Sequence, residues 1–162
     1  MTQSAQYEVY AIQYAKSVRP RSEYFMGADP HDGPEPIFYY VWLIRNADRV
    51  ILVDTGFNAD RAKGRKRDFL RCPIDALGSL GVSGEDVDTV IITHLHYDHA
   101  GNMDKLPNAR FVLQESEMGF ATGRYMRHEL MRMPFELSDV QLMLALNYGG
   151  GVLFLDGEGN LG

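Results

Sequence analysis

Six consecutive residues, His94-Leu95-His96-Tyr97-Asp98-His99, carry three imidazoles and a carboxylate in a chain of 162 residues that holds only five histidines. Imidazole nitrogens and carboxylate oxygens are the usual donors to divalent cations of intermediate softness, so this density points to metal chemistry. The spacing narrows it. In extended backbone, residues i and i+2 point to the same side, so His94 and His96 can converge on one cation. Asp98 and His99 follow a local turn and are adjacent, so they project in different directions from the first pair. One short loop can therefore offer two nitrogens to one metal and an oxygen and a nitrogen to another. Mixed imidazole and carboxylate ligation suits zinc first, with manganese, iron or cobalt as alternatives. A solvated loop with histidines by chance is the bland explanation, and such donor density directly after a buried strand argues against it.

That strand is Val90-Ile91-Ile92-Thr93. A continuous apolar run bounded by polar residues reads as a parallel-type strand buried on both faces. The donors then lie just past its C-terminal end, where open α/β sheets place their sites.

The stretch Thr93-His94-Leu95-His96-Tyr97-Asp98-His99-Ala100-Gly101 resembles the H-x-H-x-D-H signature of the metallo-β-lactamase superfamily. With Val53-Asp54-Thr55-Gly56 upstream, it looks most like the N-acyl homoserine lactonases within that superfamily, although glyoxalase II-like thioesterases share the signature. The resemblance implies an α/β (α+β) fold, the metallo-β-lactamase-like αββα sandwich, of which residues 1–162 look like a single partial domain truncated before the C-terminal half. It implies two zinc ions in the complete enzyme, His94 and His96 holding the first, Asp98 and His99 the second. It also implies that Asp54 sits under the metal site and orients a ligand histidine by accepting its other ring N–H. Taken alone, an Asp before Thr-Gly is a common turn former.

By the same resemblance, a hydroxide bridging the two metals would attack the lactone carbonyl, and Asp98 would handle the proton passed to the ring oxygen. The family draws a third histidine, a bridging aspartate, a last histidine and an oxyanion-stabilising tyrosine from its C-terminal half. Here no histidine follows His128. The implied reading is a metal-dependent lactonase by lineage whose isolated chain is inactive through truncation. The alternatives are a thioesterase of the glyoxalase II kind and a catalytically dead fragment that binds metal weakly. One half alone would leave an apolar sheet face uncovered, an association liability, so a homodimer or a completing partner chain is an option.

The elements that must position these residues can be read along the chain. Tyr7 to Tyr14 alternates as a strand. Arg19 to Pro36, rich in Gly and Pro, reads as a long loop in which Tyr24, Phe25 and Met26 either line an apolar pocket for an acyl tail or pin the loop to the core. His31 reads as a solvated turn residue. Ile37 to Ile44 and Arg49 to Val53 read as an antiparallel hairpin around Asn46-Ala47-Asp48. A helix over Asn58 to Leu70 would display Arg61, Lys63, Arg65, Lys66, Arg67 and Arg71 as a solvated face. A short helix over Pro73 to Leu80 ends at Gly81. Asn102 to Asn108 reads as a loop, Arg110 to Gln114 as a strand and Glu115 to Ala121 as a helix. His128 reads as structural or exposed, and Met126, Met131 and Met133 as core rather than acyl-chain contacts. Ser138-Asp139 caps a helix to about Asn147 with Gly149 past its end, and Val152 to Leu155 is a last strand.

Composition bounds the partners. The length suits one domain. A net charge of −6 argues against a nucleic-acid footprint. The only cysteine, Cys72, rules out an intrachain disulfide and fits a reducing compartment such as the cytoplasm. The segment Met1 to Gln6 lacks the basic and apolar regions of a signal peptide, and no apolar run approaches membrane-spanning length. The expected partner is a small lactone or ester.

Overall fold

The computed structural model describes residues 6–27 and 30–159; most of the signal-peptide reading (Met1 to Ala5) and the final turn's end at Gly162 lie outside them. Seven strands form one mixed sheet: β1 (Glu8–Pro20), β2 (Pro34–Arg45), β3 (Val50–Val53), β4 (Asp68–Phe69), β5 (Thr89–Ile91), β6 (Arg110–Gln114) and β7 (Val152–Leu155), in the spatial order β4-β1-β2-β3-β5-β6-β7. The helices are α1 (Ala59–Gly64), α2 (Glu115–Ala121), α3 (Glu129–Arg132) and α4 (Leu137–Tyr148). Among the described residues no helix is long and apolar enough to cross a membrane.

β1, β2 and β3 pair antiparallel, as the Asn46 turn requires, whereas β3, β5, β6 and β7 run parallel. Parallel pairing brings the C-terminal ends of β3 and β5 to one edge, with Val53 opposite Ile91. Asp54 and Thr93, each just beyond its strand, therefore become neighbours.

The core lies on one face of the sheet. Ile12 and Tyr14 of β1, Val41 and Leu43 of β2, Leu52 of β3, Val90 of β5 and Phe111 and Leu113 of β6 join Ala62, Leu77, Met118, Val140 and Met143 from the helices and turns in one cluster. The other face is also apolar. Trp42 pairs with Val53, Val53 with Ile91 and Ile91 with Val112, a row of same-face neighbours across four strands. Phe38, Tyr40 and Trp42 of β2 and Val9 of β1 stand exposed there. This matches a layered sandwich half with one sheet face covered by helices.

Several expectations need correction. The expected loop over Arg19 to Pro36 is shorter, because β1 extends to Pro20 and β2 begins at Pro34. Pro34 and Pro36 lie at the start of β2, where among the described residues β1 is its one partner strand, since β3 pairs with β2 from Trp42 on. The helix expected over Asn58 to Leu70 stops at Gly64. Asn58 caps it by accepting from the Arg61 N–H, Lys66 turns the chain at φ 54°, and β4 then pairs with β1. Phe69 thereby joins the aromatic cluster beside Phe57, ring centroids 6.3 Å apart, and that burial outweighs helix propensity.

The expected solvated cationic face holds for the exposed Lys63 and Lys66, whereas the arginines act as anchors. Arg61 grips the buried Asp139 bidentately at 2.5 and 2.6 Å, Arg65 pairs with Glu136, and Arg71 donates to the Gln13 carbonyl. Ser138-Asp139 is not the cap of α4. Glu136 holds that position, and Asp139 faces Arg61. Burial pushes the Asp139 carboxyl up to about 6 against the pull of Arg61.

Arg61→Ala would leave that carboxyl buried without its cation. At neutral pH it is expected to lower unfolding free energy by about 3 kcal/mol. The loss should shrink as the pH falls toward 5, because the orphaned carboxyl can then protonate. Urea melts of both proteins at pH 7.5 and pH 5 check this, and an equal loss at both values would contradict it.

Candidate metal centre

The loop after β5 has the alternation expected of extended backbone. Leu95 and Tyr97 are buried, while His94 and His96 stay half-buried on the other side, their rings in an edge-to-face contact at 4.4 Å. A turn follows: the N–H groups of His99 and Ala100 both donate to the His96 carbonyl, at 3.0 and 3.2 Å. It returns the His99 ring to 3.8 Å from that of His94. The three motif imidazoles are thus side by side, and Asp98 lies next to them with its Oδ2 at 3.5 Å from His99 Nε2.

Asp54 underlies this group. Its carboxylate is buried and accepts from the Thr93 N–H at 2.8 Å, the Thr93 hydroxyl at 2.9 Å and His99 Nδ1 at 2.7 Å. Its backbone occupies the left-handed region at φ 61°, a conformation that costs a non-glycine residue of order 1–3 kcal/mol unless neighbours enforce it. They do. Asp54 N–H donates to the Ile91 carbonyl, Thr55 N–H to the His99 carbonyl at 2.7 Å, and Gly101 N–H to the Gly56 carbonyl at 2.7 Å. The two loops approach so closely that a Cβ on Gly101 would lie 2.6 Å from the Gly56 oxygen, which explains why Gly101 closes the motif.

Below the loop, Tyr14, Tyr39, Phe57, Phe69 and Tyr97 form an aromatic floor, with Phe57 stacked on Tyr97 at 5.5 Å. Tyr14 is the extra residue of a bulge in β1, between the Gln13 and Ala15 pairs. The bulge turns it inward, and its hydroxyl donates to the Asp98 carbonyl at 2.8 Å.

The electrostatics separate the imidazoles. Burial holds His94 and His96 below the usual histidine range, helped by their imidazole neighbours. Burial would lower His99 too, but the Asp54 and Asp98 carboxylates outweigh it and hold the ring up at about 9. Burial would raise the Asp98 carboxyl, and His99 more than offsets it, leaving Asp98 below the usual carboxylate range. At neutral pH the loop therefore presents two neutral imidazoles, one ionised carboxylate and one imidazolium clamped between carboxylates.

In donor type this fits a divalent metal centre. Asp54 takes Nδ1 of His99 and leaves Nε2 facing Asp98, and the Thr93 hydroxyl lies 3.1 Å from Nδ1 of His94, leaving its Nε2 open. In number the set is incomplete: among the described residues no three His, Cys, Asp or Glu side chains are grouped so as to hold a metal ion by themselves.

Residues 34–154 match the family described as the metallo-beta-lactamase superfamily. The chain belongs to this superfamily. Within it, the chain is similar to the N-acyl homoserine lactonase AiiB of Agrobacterium fabrum, 31% identical over 118 residues, a match covering 64% of this chain and 42% of the relative. In fold it is similar to a quorum-quenching N-acyl homoserine lactone lactonase, with a TM-score of 0.76 at 18% identity over 99% of this chain and 61% of that one. A dizinc quorum-quenching lactonase, AidC, superposes with a TM-score of 0.70 at 15% identity over 97% of this chain and 60% of that one. The chain thus spans less than two thirds of the length of each of these superfamily members.

The sequence-predicted residues fall into two groups. His94, His96, Asp98, His99 and Asp54 come together. Tyr24, Phe25 and Met26 lie on the arm between β1 and β2, Phe25 and Met26 exposed, and none lines the cavity formed by Met126, Met133, Phe135 and Val140. Tyr24 donates to the Ser17 hydroxyl, which together with the Tyr97 hydroxyl also receives Arg67. His128 is exposed on a separate segment. Thr93, Tyr14, Glu117, whose carboxylate accepts the Leu95 N–H at 2.8 Å, and Phe135, edge-on to His96 at 4.8 Å, had no signal beyond Thr93 standing next to the motif. The methionines expected in the core are otherwise placed: Met126 and Met133 line a cavity, and Met131 is exposed.

The elevated His99 pKa carries a sign. A cation stabilised in the folded state contributes fully below its ordinary 6.5, and the contribution is lost as pH rises through about 9. Protein stripped with a chelator should therefore lose stability between about pH 6.5 and pH 9, and Asp54→Asn should flatten that slope. Melting curves across this window test it; a wild-type slope unchanged in the variant would refute the assignment.

Proposed function

We propose that this chain carries the metal-binding half-site of a metal-dependent hydrolase acting on N-acyl homoserine lactones. The observation that carries the reading is the convergence of His94, His96, Asp98 and His99 over the buried Asp54 carboxylate at the C-terminal ends of β3 and β5. In this reading His94 and His96 hold one divalent ion, Asp98 and His99 a second, and zinc is the preferred metal. Bound metal would supply Lewis-acid polarisation of the lactone carbonyl and activation of water. Metal binding at His99 would displace the Nε2 proton, and Asp54 would then hold the remaining proton on Nδ1. Tyr14 holds the backbone at Asp98, and in this reading the Asp98 carboxylate would relay a proton to the departing ring oxygen.

A place for the acyl tail is at hand. A cavity of about 450 Å³ is lined by Ala121, Met126, Met133, Phe135, Leu137 and Val140, with Glu129 and Arg132 also in its wall. Phe135 forms both part of this wall and the edge-on contact to His96, so the apolar space begins beside the proposed metal ligands. Unbranched methionines adapt to a flexible chain, and Met126 and Met133 stand in this wall, whereas Tyr24, Phe25 and Met26 line no part of it.

The loop supplies two donors for each ion, whereas catalytic sites of this type use about three plus a water. Metal analysis of the purified 162-residue chain is therefore expected to find weak, substoichiometric zinc that His96→Ala reduces further, with negligible hydrolysis of lactone or thioester. Chelator-sensitive lactone turnover by the monomer would overturn the half-site reading, and thioester turnover in its place would overturn the substrate.

Where turnover is measurable, in a longer protein that includes this chain, a bulky Leu137→Trp at the exposed wall of the cavity should selectively weaken long-chain substrates. The cavity can contribute up to ~0.8 kcal/mol per buried methylene, about fourfold in KM for each one lost. KM values across a C4-to-C12 lactone series test this; a uniform effect on all lengths would contradict the cavity assignment.

A further inference from the structure

Two of the three motif imidazoles are oriented by polar partners: Thr93 lies against Nδ1 of His94, and Asp54 holds Nδ1 of His99. Among the described residues no hydrogen bond fixes the His96 ring. The rings it touches are His94 and, in a T-shaped contact at 4.8 Å with the planes 87° apart, Phe135, while the charges of Asp98, Glu117 and Arg65 also act on it. The Phe135 backbone also pairs with that of His96 in an isolated antiparallel bridge, and the Pro134 carbonyl accepts the Tyr97 N–H at 2.8 Å. The orientation of His96 thus depends on how firmly the segment Met133-Pro134-Phe135-Glu136 is held against the motif loop.

One side chain holds that segment at both ends. Arg65 donates from Nε and Nη2 to Glu136 Oε1 at 3.1 and 2.8 Å and from Nη2 to the Met133 carbonyl at 2.9 Å. Its guanidinium lies over the Tyr97 ring, 3.8 Å from the centroid. It therefore touches both ends of the Phe135 segment and the motif residue that follows His96. A planar, multidentate, stacking cation suits this task in a way lysine does not. Arg61, one turn earlier, pins Asp139 and fixes the base of the same connection.

We propose that Arg65 is a positioning residue for His96, acting through Phe135 in place of the hydrogen bond that the other two imidazoles have. The proposal rests on the reading of His96 as a metal ligand, and outer partners of ligand histidines typically change metal affinity 10–100-fold when removed.

The test uses the full chain with histidine ring resonances followed by NMR in chelator-stripped protein, alongside zinc affinity by chelator competition. Phe135→Leu removes the aromatic edge and marks the His96 signals. Arg65→Gln and Glu136→Gln are expected to move those signals in the same direction while leaving His94 and His99 in place, and to weaken zinc about tenfold. The double variant Arg65→Gln/Phe135→Leu should add little to Phe135→Leu alone, and Arg65→Lys should restore part of the effect. Unchanged His96 signals in Arg65→Gln, or equal shifts of all three imidazoles with a fall in melting temperature, would overturn the proposal. If the signals move as expected but neither these variants nor His96→Ala alter zinc affinity, the positioning role stands and the metal reading of His96 fails.

Discussion

The arrangement hangs on one buried carboxylate. Asp54 accepts three hydrogen bonds from Thr93 and His99, and it does so from a left-handed backbone conformation that is held by bonds from Asp54 and Thr55 to the ends of the motif segment. A buried anion needs such partners, because an unsatisfied carboxylate in this position would carry the full desolvation penalty. The requirement works in both directions. The loop orders the carboxylate, and the carboxylate sets the loop's path, the His99 ring orientation and the charge on that ring. A residue that reads as a turn former thus joins two parallel strands through their extensions.

Around this contact the loop sorts its side chains by a simple alternation. Leu95 and Tyr97 go down onto an aromatic floor of Tyr14, Tyr39, Phe57 and Phe69, which leaves His94 and His96 facing outward together. Burial keeps those two imidazoles neutral, while flanking carboxylates keep the third charged. Neutral imidazole and ionised carboxylate are the forms that bind metal. The protonated His99 means that metal entering there must displace a proton, so the same Asp54 that presents the ligand also competes for it.

A second framework ties the helical layer to the site. Arg61 and Arg65 lie four apart, on one side of α1 and its C-terminal cap. They meet Asp139 and Glu136 at the start of α4, where carboxylates also favour the positive end of the helix dipole. These pairs bring the Met133 to Glu136 segment over the motif loop and leave an apolar cavity behind Phe135. The sheet's other face, with Phe38, Tyr40 and Trp42 exposed, contributes nothing to this framework. The solved relatives have additional chain beyond the length matched here.

The sequence by itself determined the chemistry of the centre. Three imidazoles and a carboxylate within six residues after an apolar run mark a donor-rich loop at a strand's end, and the i, i+2 spacing places His94 and His96 together, because period-two alternation is a local property of extended backbone. It equally determined β6, α2 and β7, whose composition and boundaries agree with local propensity. Only the tertiary structure decided the rest. The partner of Asp54, the inward turn of Tyr14 at the bulge, the early stop of α1 and the roles of Arg61 and Arg65 each depend on residues tens of positions away. Local propensity favoured a longer helix and a solvated cationic face. The burial of Phe69 and the pairing of buried carboxylates overrode that preference, because a few long-range contacts of this kind outweigh the tenths of a kcal/mol by which one local conformation is preferred to another.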